Sequence, residues 1–283
     1  MHRTLIDRDT LARHLGAPDW RIVDCRFDLG KPDWGGAQYW QGHIPGAIYA
    51  HLDRDLSAPV TPTSGRHPLP GPEALAARCA NWGIHARTQV IAYDQGNGMY
   101  AARLWWLLRW LGHERVAVLD GGLAGWTRAP SLPLSRDVVT LVAGPFAARL
   151  RKDWVVSSEQ LVPLVEAGLG GQTLCDARGA DRFAGQNETI DPVAGHVPGA
   201  RSMPFPGNLG PDGRFLPPAQ LRERWATRLA NPATAIMMCG SGVSACHNLL
   251  ALEHAGLSGA RLYAGSWSEW IRDPARPVAT GAG

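Results

Sequence analysis

Short apolar runs alternate along this chain with stretches whose apolar residues recur on a helical period. Pro72-Glu73-Ala74-Leu75 reads as a helix opening with proline in its first turn, and Pro217-Pro218-Ala219-Gln220-Leu221 reads the same way. Residues 101–110 and 245–254 are apolar at helical spacing. Strands that alternate with helices in this way predict an α/β fold with a mostly parallel sheet. Ligands of such sheets sit where strand ends turn into helices, which directs attention to residues 94 and 239.

The pattern also occurs twice. I-V-D-C-R (22–26) returns as L-C-D-A-R (174–178), and H-I-P-G-A (43–47) returns as H-V-P-G-A (196–200). V-I-A-Y-D (90–94) returns as A-I-M-M-C (235–239), and L-D-G-G-L-A-G-W (119–126) as Y-A-G-S-W-S-E-W (263–270). The offsets are 152, 153, 145 and 144 residues, so four matches keep their order and nearly their spacing. Two similar domains are expected, 1–135 and 154–283, joined by a partly extended linker over 136–153.

Composition narrows the function classes. Hydrophobic residues make up 45% and charged residues 19% of the 283, the balance of a globular protein with substantial cores. The net charge is +3, acids and bases are interspersed, and Lys31 and Lys152 are the only lysines, so no nucleic-acid track is expected. No segment has the roughly 18 continuous apolar residues of a membrane span, and M-H-R-T-L-I-D-R-D-T lacks the apolar centre of a secretory signal. A cytoplasmic protein is the expectation. Five cysteines, an odd number without a C-x-x-C pair, indicate neither a disulfide framework nor a zinc knuckle. No metal or organic cofactor is expected. The twelve tryptophans read as packing.

Cys239 differs from the other four cysteines. It ends an apolar run and begins Cys239-Gly240-Ser241-Gly242-Val243-Ser244, behind which a helix starts. Two glycines let the backbone curl so that successive N–H groups converge, and the helix N-terminus adds its positive end. Such a cradle favours the thiolate, the form that attacks other sulfur atoms. Cys25 and Cys175 lie inside apolar runs, Cys79 in a helix, and Cys246 just inside the helix after the loop, all ordinary positions for a buried thiol. The first copy carries Asp94-Gln95-Gly96-Asn97-Gly98-Met99 in the equivalent place, with no thiol. One active and one inactive domain are therefore expected.

These motifs resemble the tandem-domain rhodanese family of thiosulfate and 3-mercaptopyruvate sulfurtransferases, and the resemblance covers nearly the whole chain. It implies two rhodanese-like domains and a persulfide on Cys239 that passes sulfane sulfur to a thiol acceptor such as thioredoxin, or to cyanide. The uncharged loop C-G-S-G-V-S looks like the mercaptopyruvate type, with Ser244 in place of a threonine; thiosulfate-preferring members tend to carry basic residues there. By the same resemblance Ser241, His67 and Asp53 form a proton relay. Because His67 and Asp53 precede the second domain in sequence, the resemblance places the site between domains. Arg182 is implied to hold the donor carboxylate, and Gly240, Gly242, Val243 and Ser244 to line its site. A second arginine usual in that family would fall at Asp191, so its task passes to loop amides or to an arginine from elsewhere. A thiosulfate:cyanide sulfurtransferase and a non-catalytic sulfur-relay module remain open as alternatives. A cysteine phosphatase of C-x5-R type is disfavoured, since the sixth residue after Cys239 is Ala245.

Overall fold

The apolar runs become the strands of two all-parallel sheets in the computed structural model, which describes residues 1–282. One compact unit comprises Met1–Ala58, Leu69–Arg151 and Pro211–Phe215; the other comprises Pro59–Pro68, Lys152–Gly210 and the described residues from Leu216 onward.

The first unit carries β1 (Leu5–Ile6), β2 (Trp20–Asp24), β3 (Ala47–Tyr49), β4 (Gln89–Tyr93) and β5 (Val116–Leu119), paired in the order β1-β5-β4-β2-β3. Its helices are α1 (Arg8–Ala12), α2 (Trp34–Gln41), α3 (Leu52–Asp55), α4 (Pro72–Asn81), α5 (Met99–Trp110) and α6 (Gly122–Thr127). The second unit carries β6 (Val155–Val156), β7 (Thr173–Asp176), β8 (Arg201–Ser202), β9 (Ala235–Met238) and β10 (Arg261–Tyr263), in the matching order β6-β10-β9-β7-β8. With it go α7 (Ser158–Glu166), α8 (Ala180–Phe183), α9 (Pro218–Ala226), α10 (Ser244–His254) and α11 (Ser266–Trp270).

Every residue of β4 and of β9 is buried, which explains why these strands read as continuous apolar runs rather than alternating ones: parallel sheets are covered on both faces. Pro72 and Pro218 occupy the first turns of α4 and α9, as their positions in the sequence predict. Both apolar helical stretches are helices, beginning slightly earlier than residues 101 and 245. Each unit has its own core: Ile22, Ile91, Tyr93 and Trp126 in the first, Leu174, Ile236, Met238 and Trp270 in the second. Six tryptophans are almost wholly buried, whereas Trp40 is 58% exposed.

The repeated motifs prove to be repeated bonds. Arg26 grips the Asp24 carboxylate through Nε and Nη2 and donates to Gly42 O at 2.8 Å; Arg178 grips Asp176 and donates to Gly195 O at 2.7 Å. The motif histidines are structural as well. His43 stacks on Tyr39 and His196 on Phe183, and each exchanges backbone hydrogen bonds with a residue near the end of its unit, Ser135 or Ala279. Trp126 Nε1 donates to Pro133 O and Trp270 Nε1 to Pro277 O, both at 2.9 Å. Beyond α6 the chain runs without a helix to the short 3-10 turn Lys152–Trp154. It is tied to its own unit where Gly144, Arg149 and Arg151 donate N–H bonds to Ala80, Leu111 and Trp110.

Candidate active site

The loop after β9 is shaped by its two glycines. Gly242 adopts φ +78°, and a Cβ there would lie 2.5 Å from Ala264 O, so the tight turn admits no side chain. The turn brings the Gly242 N–H to 3.1 Å from Cys239 Sγ. The backbone N–H of Cys239 donates to Ser266 Oγ (3.1 Å), and that hydroxyl donates to Tyr263 O (2.9 Å). N–H groups of Trp267 and Ser268 hold the carbonyls of Cys239 and Gly240, each at 2.9 Å. The loop is thus fastened to the start of α11, and Cys239 itself is 2% exposed.

Ser266 is buried with φ +54°, an unusual conformation for a residue with a Cβ, costing roughly 1–2 kcal/mol. Its counterpart in the first unit, Gly122, has the same φ of +54°. The second unit accepts this strain and gains the hydroxyl that holds Cys239 N–H. Sequence reasoning missed Ser266, although the signal was present: D-G-G-L in one copy against A-G-S-W in the other.

His67 lies in the Pro59–Pro68 segment, which packs with the second unit although it precedes that domain in sequence. His67 Nδ1 is 2.7 Å from Ser241 Oγ, and both residues are buried. The neighbouring Arg66 donates its N–H to Ser268 Oγ at 3.0 Å. Cys239, Ser241 and His67 therefore come together within one unit, with Gly240, Gly242, Val243 and Ser244 in the same loop. Asp53 belongs to the first unit, in the first turn of α3, where its N–H donates to His51 Nδ1 at 3.1 Å.

Arg182, on α8, is held by two acids. Its Nη2 is 2.8 Å from Glu188 Oε1 and 3.1 Å from Asp191 Oδ2, and its Nε also reaches Glu188. Asp191 bonds Arg66 Nη1 through its other oxygen. Burial pushes the Asp191 carboxyl up, with Arg66 and Arg182 pulling against it. Burial acts on Glu188 in the same direction, but there the hydrogen bonds from Arg182 and from the N–H groups of Asp191 and Ile190 prevail and the carboxyl titrates below its usual range. Sequence reasoning named Arg182 but missed Arg66 and Glu188.

Three of the other cysteines are held as buried thiols. Burial raises the Cys79 and Cys175 thiols to about 12 and lifts Cys25 well above the ordinary range. In the first unit the carboxylate of Asp94 fills the equivalent loop, accepting N–H bonds from Gly96, Gly98 and Tyr100 at 2.9–3.0 Å and from Ala101 at 3.4 Å. Among the described residues no cluster of His, Cys, Asp and Glu could hold a metal ion, and no helix is long and apolar enough to cross a membrane.

A parallel five-stranded sheet built twice, with a cysteine loop at the central strand end of the second copy, defines a class that sequence comparison confirms. The rhodanese-like domain family matches residues 7–129 and 162–273, and the chain belongs to that family. It is 50% identical over 281 residues to a Pseudomonas aeruginosa protein named "Probable 3-mercaptopyruvate sulfurtransferase", covering 98% of each chain. It is 30% identical to "Thiosulfate/3-mercaptopyruvate sulfurtransferase 2" of Arabidopsis thaliana, covering 97% of this chain and 86% of that one. Among solved structures, 3-mercaptopyruvate sulfurtransferase from Leishmania major superposes with a TM-score of 0.83 at 31% identity, over 96% of this chain and 76% of that one.

Proposed function

We propose that this chain is a cytoplasmic sulfurtransferase that moves sulfur from 3-mercaptopyruvate to a thiol or cyanide acceptor through a persulfide on Cys239. The observation that carries the reading is the arrangement at the loop: Gly242 N–H on Cys239 Sγ, with the His67–Ser241 pair two residues along the same turn. Relatives of full length named for this donor supply the choice of substrate.

In the first half-reaction the Cys239 thiolate attacks the thiol sulfur of 3-mercaptopyruvate. The S–S bond forms as the donor's C–S bond breaks, and the electron pair leaves on carbon as the pyruvate enolate. Ser241, backed by His67, supplies the proton that converts the enolate to pyruvate. In the second half-reaction an acceptor thiolate, such as that of a thioredoxin, attacks the outer sulfur and Cys239 leaves as thiolate. Amides of the loop stabilise the negative sulfur in both steps. The first domain (1–135) is catalytically inactive, because Asp94 stands where the thiol would be; residues 136–153 link it to the catalytic domain (154–283). Arg182 and the loop residues Gly240, Gly242, Val243 and Ser244 form the donor site.

Steady-state sulfur transfer to cyanide, with 3-mercaptopyruvate and thiosulfate compared in one buffer, tests this directly. Wild type is expected to favour 3-mercaptopyruvate, Cys239→Ser to lose turnover, and mass spectrometry to find one added sulfur on Cys239 after donor alone. Ser241→Ala and His67→Ala should lower kcat on the order of a hundredfold, the usual scale for a lost proton donor. The resemblance assigns Asp53 to the same relay, so Asp53→Asn should also lower kcat more than it raises KM. Donor-dependent turnover in Cys239→Ser would overturn the scheme. Wild type without turnover on either donor would point to the sulfur-relay module instead.

A further inference from the structure

Arg66 and Arg182 turn toward the same point. A Cβ placed on Gly240, the residue after Cys239, would lie 2.8 Å from Arg66 Nη2 and 3.8 Å from both Nη atoms of Arg182. Asp191 bridges the two guanidiniums, one oxygen to each, through Arg66 Nη1 and Arg182 Nη2. Glu188 takes the Nε edge of Arg182. The atoms left out of these ion pairs, Arg66 Nη2 and Arg182 Nη1, are among those that approach Gly240. Arg66 Nε is buried and has no hydrogen-bond partner among the described residues. The Arg66 backbone is itself tied to the loop, since it donates to Ser268 Oγ while Ser268 N–H donates to Gly240 O.

The charges form a closed set. Arg66, Arg178 and Arg182 face Asp176, Glu188 and Asp191, so three cations meet three anions. The Asp191 side chain is only 3% exposed, against 25% for Arg66. Asp191 therefore sits behind the arginines as a fixed counter-ion, with Arg66 on the solvent side of the pair.

We propose that Arg66 is the second guanidinium that grips the donor's carboxylate beside Cys239, and that Asp191 positions Arg66 and sets the site for a monoanion over a dianion. The assignment rests on 3-mercaptopyruvate being the donor. With Asp191 in place, the two arginines present two hydrogen-bonding edges but little net charge, which suits one carboxylate. Removing that negative charge leaves a net positive site, which suits the dianion thiosulfate.

The test compares wild type, Arg66→Met, Arg66→Lys and Asp191→Asn in sulfur transfer from both donors. Pyruvate serves as a competitive probe, because it has the carboxylate and ketone but no transferable sulfur. Arg66→Met should raise the KM for 3-mercaptopyruvate and the Ki for pyruvate on the order of ten- to a hundredfold with kcat changed much less. Arg66→Lys, which keeps the charge but loses the fork, should fall between. Asp191→Asn should shift the ratio of kcat/KM values toward thiosulfate. Thermal melting identifies any variant that fails to fold, and the lysine variant then carries the test. If pyruvate does not compete in wild type, the donor reading fails. If pyruvate competes equally in wild type and both Arg66 variants, the donor reading stands and the assignment of Arg66 is overturned. An unchanged donor ratio in a folded Asp191→Asn would overturn the role given to Asp191.

Discussion

Glu188 accepts hydrogen bonds from Arg182 and from the N–H groups of Ile190 and Asp191, and its folded carboxyl titrates below the usual range because these bonds outweigh burial. A carboxyl whose pKa is lowered on folding stabilises the native state above its unfolded value of about 4.3, and that stabilisation disappears as pH falls through the folded value. Glu188→Gln should therefore melt about 2–6 °C below wild type at pH 7, with the two curves converging in acid as pH falls below the unfolded carboxyl range. A constant gap across that range in a Tm–pH series would show that Glu188 acts through packing and not through its charge. The residues that sequence reading found and those it missed divide at this scale by how local their signal is. Cys239 and Ser241 announce themselves in one short loop, and Arg182 through a motif. Arg66 meets Asp191 across 125 positions and Ser268 across 202, separations at which no sequence pattern records a partnership. Asp191 stands out only as the place where the family's second arginine would fall, and Glu188 not at all, until the fold places both against Arg182.

Between β9 and α10, the loop's form depends on one backbone conformation. Gly242 sits at φ +78° with Ala264 O where a Cβ would go. Gly242→Ala should cost about 1–3 kcal/mol from the strained conformation and the displaced carbonyl together. Because Gly242 N–H is the donor on Cys239 Sγ, turnover should fall further than the fraction of unfolded protein explains. Activity that tracks the folded fraction alone would show that this N–H does no chemistry. At the scale of elements most of the fold was readable, since β4 and β9, the helices after them and the proline-led α4 and α9 lie where the apolar pattern predicts. The short strands were not: β1, β6 and β8 have two residues each, too few for any periodicity to register. The same brevity hid the exchange of Pro59–Pro68, which has no regular element of its own and is held in the second unit by Arg66 and His67.

Across the whole molecule, two sheets of one strand order end in different loops, with Asp94 in one and Cys239 in the other, so on the function proposed above the fold alone does not confer the chemistry. The difference lies in what each unit places around an equivalent loop. In the first unit the Asp94 carboxyl occupies the amide cradle. Gln95 stands where the second unit has Gly240, and its amide donates to Phe27 O at 2.8 Å, whereas in the second unit Arg66 and Arg182 approach the glycine. Gly96 stands where the second unit has Ser241, so the loop lacks the hydroxyl that the proposed proton transfer uses. Asp94→Cys in a Cys239→Ser background tests which of these matters. A thiol restored to the cradle would keep the amides but lack the arginine pair, the hydroxyl and the histidine beside it. We expect no donor-dependent turnover above the Cys239→Ser blank with either 3-mercaptopyruvate or thiosulfate, and no added sulfur at position 94 by mass spectrometry. Added sulfur without turnover would mean that the cradle alone accepts sulfur and that the surrounding side chains serve its release. Full turnover would mean that the amide cradle suffices, and that the arginines and the His67–Ser241 pair only refine the choice of donor.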